Sequence, residues 1–177
     1  VNPARVRGAV ADLAADVASD VICVEARTAR QQAMHHRIRH AVFVEEQAIF
    51  AECDVDEHDA RDDVVRVLAL RGAEPVGAVR LYPLDPAGHL WKGDRLAVLA
   101  DHRTGGVGAP LVRFAVAHAG AQGGRRMIAH IQTANVRFFE RLGWSAYCDA
   151  EEYLGLTHQP MHIALTDIAV TDIALTD

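Results

Sequence analysis

Leu96-Ala97-Val98-Leu99, then Arg103-Thr104-Gly105-Gly106-Val107-Gly108, then an apolar run from Ala109 to Ala119, is the stretch on which the reading of this chain turns. A strand-like segment feeds a glycine turn, and the turn feeds a helix. That order points unpaired backbone N–H groups of a helix N-terminus at one spot, where the helix dipole adds to their pull on an anion. The glycines let backbone approach a phosphate closely, and Arg103 can screen a second phosphate charge. The turn is not a P-loop, because no Gly-Lys-Ser/Thr closes it. Nor is it a dinucleotide fingerprint, which needs G-x-G-x-x-G at the start of a βαβ unit. An ordinary strand–helix connection would have the same order, so the rest of the chain must separate the two.

The 177 residues suit a single domain with a real core. A net charge of −6 and a pI of about 5.9 argue against a nucleic-acid footprint. Cys23, Cys53 and Cys148 are far apart and form no C-x-x-C, which fits reduced thiols in a cytoplasmic protein. No stretch reads as a membrane span or a signal-peptide core.

Along the chain, residues 1–20 read as a leader or marginal helix, and Val21 to Ala26 as a first strand. Thr28 is placed to cap a helix from about Ala29 to Gln47. An acidic segment follows, with Asp54, Asp56, Asp59 and their neighbours, and reads by default as a solvated loop. Three strands come next, over Val64 to Arg71, Val76 to Tyr82 and His89 to Leu99. Beyond the glycine turn the chain alternates: a helix to about Ala121, a strand Arg126 to Ile131 and a helix Asn135 to Leu142. Antiparallel strands followed by a βαβα portion predict a mixed, mostly antiparallel sheet in an α/β (α+β) domain spanning 21–166. Ile163–Asp167, Ile168–Asp172 and Ile173–Asp177 form a five-residue repeat; its first copy ends the last strand, and 167–177 read as a duplicated tail.

From Ala33 to Leu165, roughly three quarters of the chain, the sequence resembles the GNAT superfamily of N-acetyltransferases. Arg103-x-x-Gly106-x-Gly108 matches its coenzyme A pyrophosphate loop, and Asn135…Phe138-Phe139-Glu140-Arg141-Leu142-Gly143-Trp144 follows in the expected order. Arg39-x-x-Val42-Phe43-Val44-x-Glu46-Gln47 and Asp54-x-Asp56-x-x-Asp59 look like the ElaA-type branch. Trp91 to Val98, Ala129-His130-Ile131-Gln132 and His158-Gln159-Pro160-Met161 are closer to a bacterial nitrogen-starvation N-acetyltransferase family. The resemblance implies a sheet that splays open between two central strands, with acetyl-CoA in the split. Leu96 and Val98 would pair with the pantetheine arm. Arg103, Thr104, Gly105, Gly106, Val107, Gly108 and Ala109 would hold the pyrophosphate, and Asn135 would hydrogen-bond the cofactor. It also implies a small-molecule amine as acceptor, and a homodimer through exposed strand edges.

The reaction so implied is acyl transfer from a thioester to an amine. It needs a base for the amine proton and a donor for the oxyanion. The Val98 amide is the candidate oxyanion donor. The chain departs from the common pattern at two places: Arg95 stands where many relatives carry a carboxylate, and Phe139 where many carry the tyrosine that protonates the thiolate. Glu46, Asp94, His130 and His158 are therefore all candidate bases, and Tyr147, Tyr153 or solvent candidate acids. Period two places Asp94 and Arg95 on opposite faces of their strand. His130 has a pKa suited to either role. Arg39, Phe43, Asp56, Asp59 and His158 would line the substrate side, and Arg80 would pair with an acid or bind a substrate carboxylate.

Three rival readings stay open. An acyl-homoserine-lactone synthase would share the splayed sheet and the pattern of Arg39, Phe43, Asp56, Asp59 and Arg80, but those enzymes generally lack R-x-x-G-x-G. A non-catalytic coenzyme A-binding module would explain Arg95 and Phe139. A metal site would use His36 and His40, or His158 and His162, but no H-E-x-x-H or nearby cysteine supports one, so no metal is expected.

Overall fold

The computed structural model describes residues 20–153 and 155–165. The leader before Asp20 and the repeated tail beyond Leu165 lie outside the described residues. The chain opens with β1 (Val21–Glu25) and α1 (Ala29–His40). Thr28 closes the start of α1 with a capping box: its hydroxyl accepts from the Gln31 N–H, and the Gln31 side chain accepts from the Thr28 N–H. The helix expected to run to Gln47 ends at His40 and loosens into a π-turn, Ala41–Glu46, that buries the sequence neighbours Val42 and Phe43 together. A short 3₁₀ turn, Glu57–Ala60, lies in the acidic segment.

The sheet follows with β2 (Val65–Arg71), β3 (Glu74–Pro83) and β4 (Leu90–Val98). A 3₁₀ turn (Ala100–Gly105) leads into α2 (Gly108–Ala121), then β5 (Arg126–Gln132) and α3 (Val136–Arg141). Two short strands, β6 (Ser145–Ala146) and β7 (Glu151–Tyr153), precede β8 (Leu156–Ala164). The strand order is β1-β2-β3-β4-β5-β8-β6, with β7 also on β8. Every pairing is antiparallel except β4 with β5, which are parallel and meet only from Leu90 to Lys92 and Arg126 to Ile128.

Helices cover both faces. On one side Val107, Leu111 and Ala115 of the α2 region pack with Val67, Leu81, Met127 and Met161. On the other, Ile38, Val42 and Phe43 pack with Leu68, Ala78 and Ala97. Val67, Leu68 and Ala69 are all buried because both faces of β2 are covered, which is why that strand is apolar without alternation.

One irregularity sets the site. Ala78 pairs with Ala97 and Arg80 with Asp94, so Val79 alone faces two residues, Arg95 and Leu96. This is a β-bulge, and Arg95 stands in it at φ +52°, in the left-handed region. A bulge bends its strand. It lies just past Lys92, where β4 leaves β5, and it breaks the period of two: Asp94 and Arg95 do not point to opposite faces but converge on the same ionic cluster, Asp94 through Arg80 and Arg95 directly onto Asp56.

His35 on α1 pins the opposite strand at this point. Its Nε2–H donates to the Val79 carbonyl at 3.1 Å, and its ring is fully buried. Burial, opposed by that hydrogen bond and reinforced by Arg39, drives its pKa down from 6.5 to about 3. Between these values the unfolded chain takes a proton that the folded chain refuses. Stability is therefore full above pH 6.5 and falls as pH drops, by about 1.4 kcal/mol per pH unit from this group. Urea unfolding of His35→Gln between pH 4 and 6 is expected to show a slope shallower than wild type by that amount; equal slopes would show that His35 is not held neutral.

Candidate active site

The strand, glycine turn and helix follow one another in the order that the sequence predicts. Gly106 sits at φ +72°, turning the chain from the 3₁₀ segment into α2. No side chain caps the N-terminus of α2. Pro110 in the first turn has no N–H, so the donors left for an anion are the backbone groups of Val107, Gly108 and Ala109. Arg71, at the end of β2, donates to the Gly105 carbonyl at 2.7 Å and braces the turn. No local spacing signals that contact, since the residues are 34 apart.

Arg103 is placed differently from its expected role. Its Nη atoms grip Glu46 in a bidentate pair at 2.5 and 2.6 Å, and its Nε donates to the Val98 carbonyl. Glu46 is thereby committed as well: the Arg103 guanidinium holds its carboxyl below the usual range, and it does not line the cavity described next. The Leu99 N–H donates to Val76 on β3, so strand alternation turns the Val98 amide the other way, toward the open split.

Where β4 and β5 diverge, a cavity of about 380 Å³ opens. Its walls include Phe43, Asp56, Tyr82, Lys92, Asp94, Arg95, Leu96, His130, Asn135, Phe139, Tyr153 and His158. Residues nominated from widely separated parts of the sequence thus meet in one place. His130 on β5 is half-buried, with Nε2 3.5 Å from a Glu151 oxygen. Burial first, and Lys92 second, hold its pKa below the ordinary value. His158 is buried, and its Nδ1 lies 2.9 Å from the Leu156 carbonyl. A carbonyl only accepts, so Nδ1 carries a proton, and in the neutral ring the lone pair lies on Nε2. Tyr153 packs edge-on against His158 and lines the cavity; Tyr147 does not line it.

The acidic segment is not a solvated loop. The carboxylates of Asp54 and Asp59 are shielded from water and bound to arginines. Arg39, fully buried, donates to Asp54 at 2.6 Å and to Asp59 at 2.7 Å. Arg80, also fully buried, donates to Asp56, Asp59 and Asp94. Arg95 reaches Asp56 and the Asp54 carbonyl, and its guanidinium lies over the Phe50 ring. Tyr82 donates to Asp94 and stacks on His58. Arg39 and Arg80 therefore have their donors occupied within the protein, which corrects the expected place of Arg39 against a substrate and gives Arg80 the first of its two expected roles, pairing with acids. Asp94 lines the cavity with both oxygens on Arg80, an arrangement that anchors a carboxylate rather than freeing it to take a proton. Desolvation of Asp59 is outweighed by Arg39 and Arg80, which hold its carboxyl far below the usual range. Among the described residues no His/Cys/Asp/Glu group is arranged to hold a metal ion, and the strand at His158 and His162 removes the helical spacing that a pair would need. No helix in that set is long and apolar enough to cross a membrane, and the three cysteines are free.

The model of the acetyltransferase (GNAT) family matches residues 30–144, and the chain belongs to that family. The uncharacterized N-acetyltransferase YjcF of Bacillus subtilis (strain 168) is 34% identical over 127 residues, spanning 70% of this chain and 86% of that protein. Among solved structures, Escherichia coli ElaA superposes with a TM-score of 0.70 at 21% identity, covering 80% of this chain and 97% of its own. BjaI, a coenzyme A-dependent acyl-homoserine lactone synthase solved with SAM and isopentyl-CoA, superposes with a TM-score of 0.65 at 21% identity over 83% of each chain. The chain is thus an enzyme of the N-acetyltransferase class, on the fold shared by these neighbours.

Removing one partner from the buried ionic cluster strands the rest. Arg39→Met leaves Asp54 and Asp59 short of a buried cation, and a loss of about 3–5 kcal/mol in chemical-denaturation stability is expected. A loss under ~1 kcal/mol would show that the cluster carries little of the fold.

Proposed function

We propose that the chain is a cytoplasmic, acetyl-CoA-dependent N-acetyltransferase acting on the primary amine of a small molecule. The observation that carries this reading is the junction of an uncapped helix N-terminus behind a left-handed glycine with a split sheet whose apex holds two histidines. The helix end would take the pyrophosphate, and the free edge of β4, with Leu96 and Val98, would take the pantetheine amides as an added strand would. Arg103 would have to let go of the Val98 carbonyl for that edge to be fully used.

At the apex the amine nitrogen attacks the thioester carbonyl. A C–N bond forms, the C–S bond breaks, a base takes the amine proton, and the coenzyme A thiolate leaves and is reprotonated. The outward amide of Val98 is the proposed oxyanion donor. With Glu46 bound to Arg103 and Asp94 to Arg80, His130 and His158 are the proposed bases, since both face the cavity with a ring nitrogen available. Tyr153 or solvent would return the proton to sulfur, because Phe139 has none to give.

Charge at the acceptor end supports an amphoteric amine such as an amino acid. Glu57, which no arginine among the described residues holds, favours the cationic end, and Lys92 offers a partner for a carboxylate, the role that Arg80, bound to Asp56 and Asp94, cannot fill.

Calorimetry with acetyl-CoA tests the cofactor site. Gly106→Asp should weaken binding tenfold or more, whereas Gly106→Asn, which tolerates the left-handed turn without charge, should bind within a few fold of wild type. A folded wild type that binds no acetyl-CoA would sink the reading. Thiol release across a panel of amino acids and amines tests the chemistry. The neutral ring of His130 is its active form, and burial and Lys92 hold its pKa below 6.5, so kcat/KM should fall with decreasing pH through a value below 6.5. His130→Gln should lower kcat/KM about 10²-fold or more and abolish that acid limb, and His158→Gln tests the other ring through kcat/KM alone. Wild-type kcat/KM in both variants would remove the histidines from the reaction.

A further inference from the structure

The cavity does not stop at the apex. Val112, Ala115, Met127, Ala129, Phe139 and Trp144 line it, and each is no more than 5% exposed. All six belong to the main hydrophobic core between the sheet and helices α2 and α3. The space that begins among Asp94, His130 and His158 therefore continues through the split into the interior of the protein.

Packed interiors hold few voids, and an unfilled apolar one costs stability. The side chains of this chamber are poor neighbours for polar groups. A pantetheine arm carries amide N–H and C=O groups, which the β4 edge can pair and these six side chains cannot. An alkyl chain asks for no partner. Two of the six positions are alanine, which leaves room beside larger neighbours, and Phe139 contributes a flat apolar wall where a hydroxyl would have been a polar one. The single polar atom on these six side chains is the indole N–H of Trp144, which has no partner among the described residues.

We propose that this chamber holds the acyl chain of the donor, so that the site assigned above to acetyl-CoA also admits, and binds more tightly, coenzyme A thioesters with a short aliphatic chain longer than acetyl. The proposal rests on the acyltransferase reading above and deepens it. The helix N-terminus and β4 edge take the coenzyme, the histidine side takes the amine, and the chamber sets the length of the group transferred.

Calorimetric titration of the whole protein with free coenzyme A, acetyl-CoA, butyryl-CoA and hexanoyl-CoA, without an acceptor, tests it directly. Affinity should rise about fourfold for each methylene from acetyl to butyryl. Ala115→Leu fills the chamber from α2, and Ala129→Val fills it from β5, so one remains informative if the other fails to fold. The quantity read is the ratio of butyryl-CoA to acetyl-CoA affinity within each folded variant, and it should drop to about one. A ratio of one or less in wild type, or a wild-type ratio surviving in both filled variants, overturns the proposal while leaving the cofactor site intact. If no coenzyme A species binds a folded wild type, the acyltransferase reading falls first and takes this one with it.

Discussion

The left-handed residue in the middle of β4 is the constraint on which the rest of the site depends. A non-glycine side chain at φ +52° costs on the order of 1–2 kcal/mol. Arg95 holds that conformation because its guanidinium is fixed from several directions: by Asp56, by the carbonyl of Asp54 and by the face of Phe50. The extra residue bends β4 where its pairing with β5 ends, and the split in the sheet begins there. It also turns Asp94 and Arg95 toward one cluster, so the strand edge that would meet the coenzyme and the buried charges behind the acceptor share one cause.

That cluster divides the charged residues into two populations. Asp54, Asp59, Arg39 and Arg80 saturate one another away from water and act as a scaffold for the acidic segment. Such pairs are weak evidence of added stability relative to an apolar core, but they enforce one arrangement, because any partner left alone is severely penalised. The second population faces the cavity with capacity to spare: His130, His158 and Lys92. In the proposed reaction the proton transfers fall to its histidines, because groups pinned by two or three charge-assisted hydrogen bonds neither take up nor release protons near neutral pH.

Much of the fold was legible in the chain. The helix cap at Thr28, the apolar run of β2, and the strand–glycine–helix order around Gly106 each rest on local chemistry, and local chemistry is what sequence patterns report. The site was legible as a membership list and less so as a set of roles. Arg39, Asp56, Asp59 and Arg80 were rightly grouped, but whether they face a ligand or one another depends on burial, and an acidic run looks the same in water as in a core. Asp94 and Arg95 misled because alternation assumes an unbroken strand, and an arginine is an unusual residue to mark a left-handed bulge. The brace from Arg71 to Gly105 and the pairing of Glu46 with Arg103, 57 residues apart, join segments with no spacing rule between them.

The brevity of the β4–β5 ladder has a consequence for the backbone. Three residue pairs join the halves of the sheet at one end, and at the other Gln132 donates a single neutral hydrogen bond to Gln47 across the gap. The halves are otherwise joined by the core they share under α2, not by backbone pairing. Beyond Lys92 and Ile128 the facing edges of β4 and β5 are left with peptide groups that a guest molecule, and not a neighbouring strand, has to satisfy.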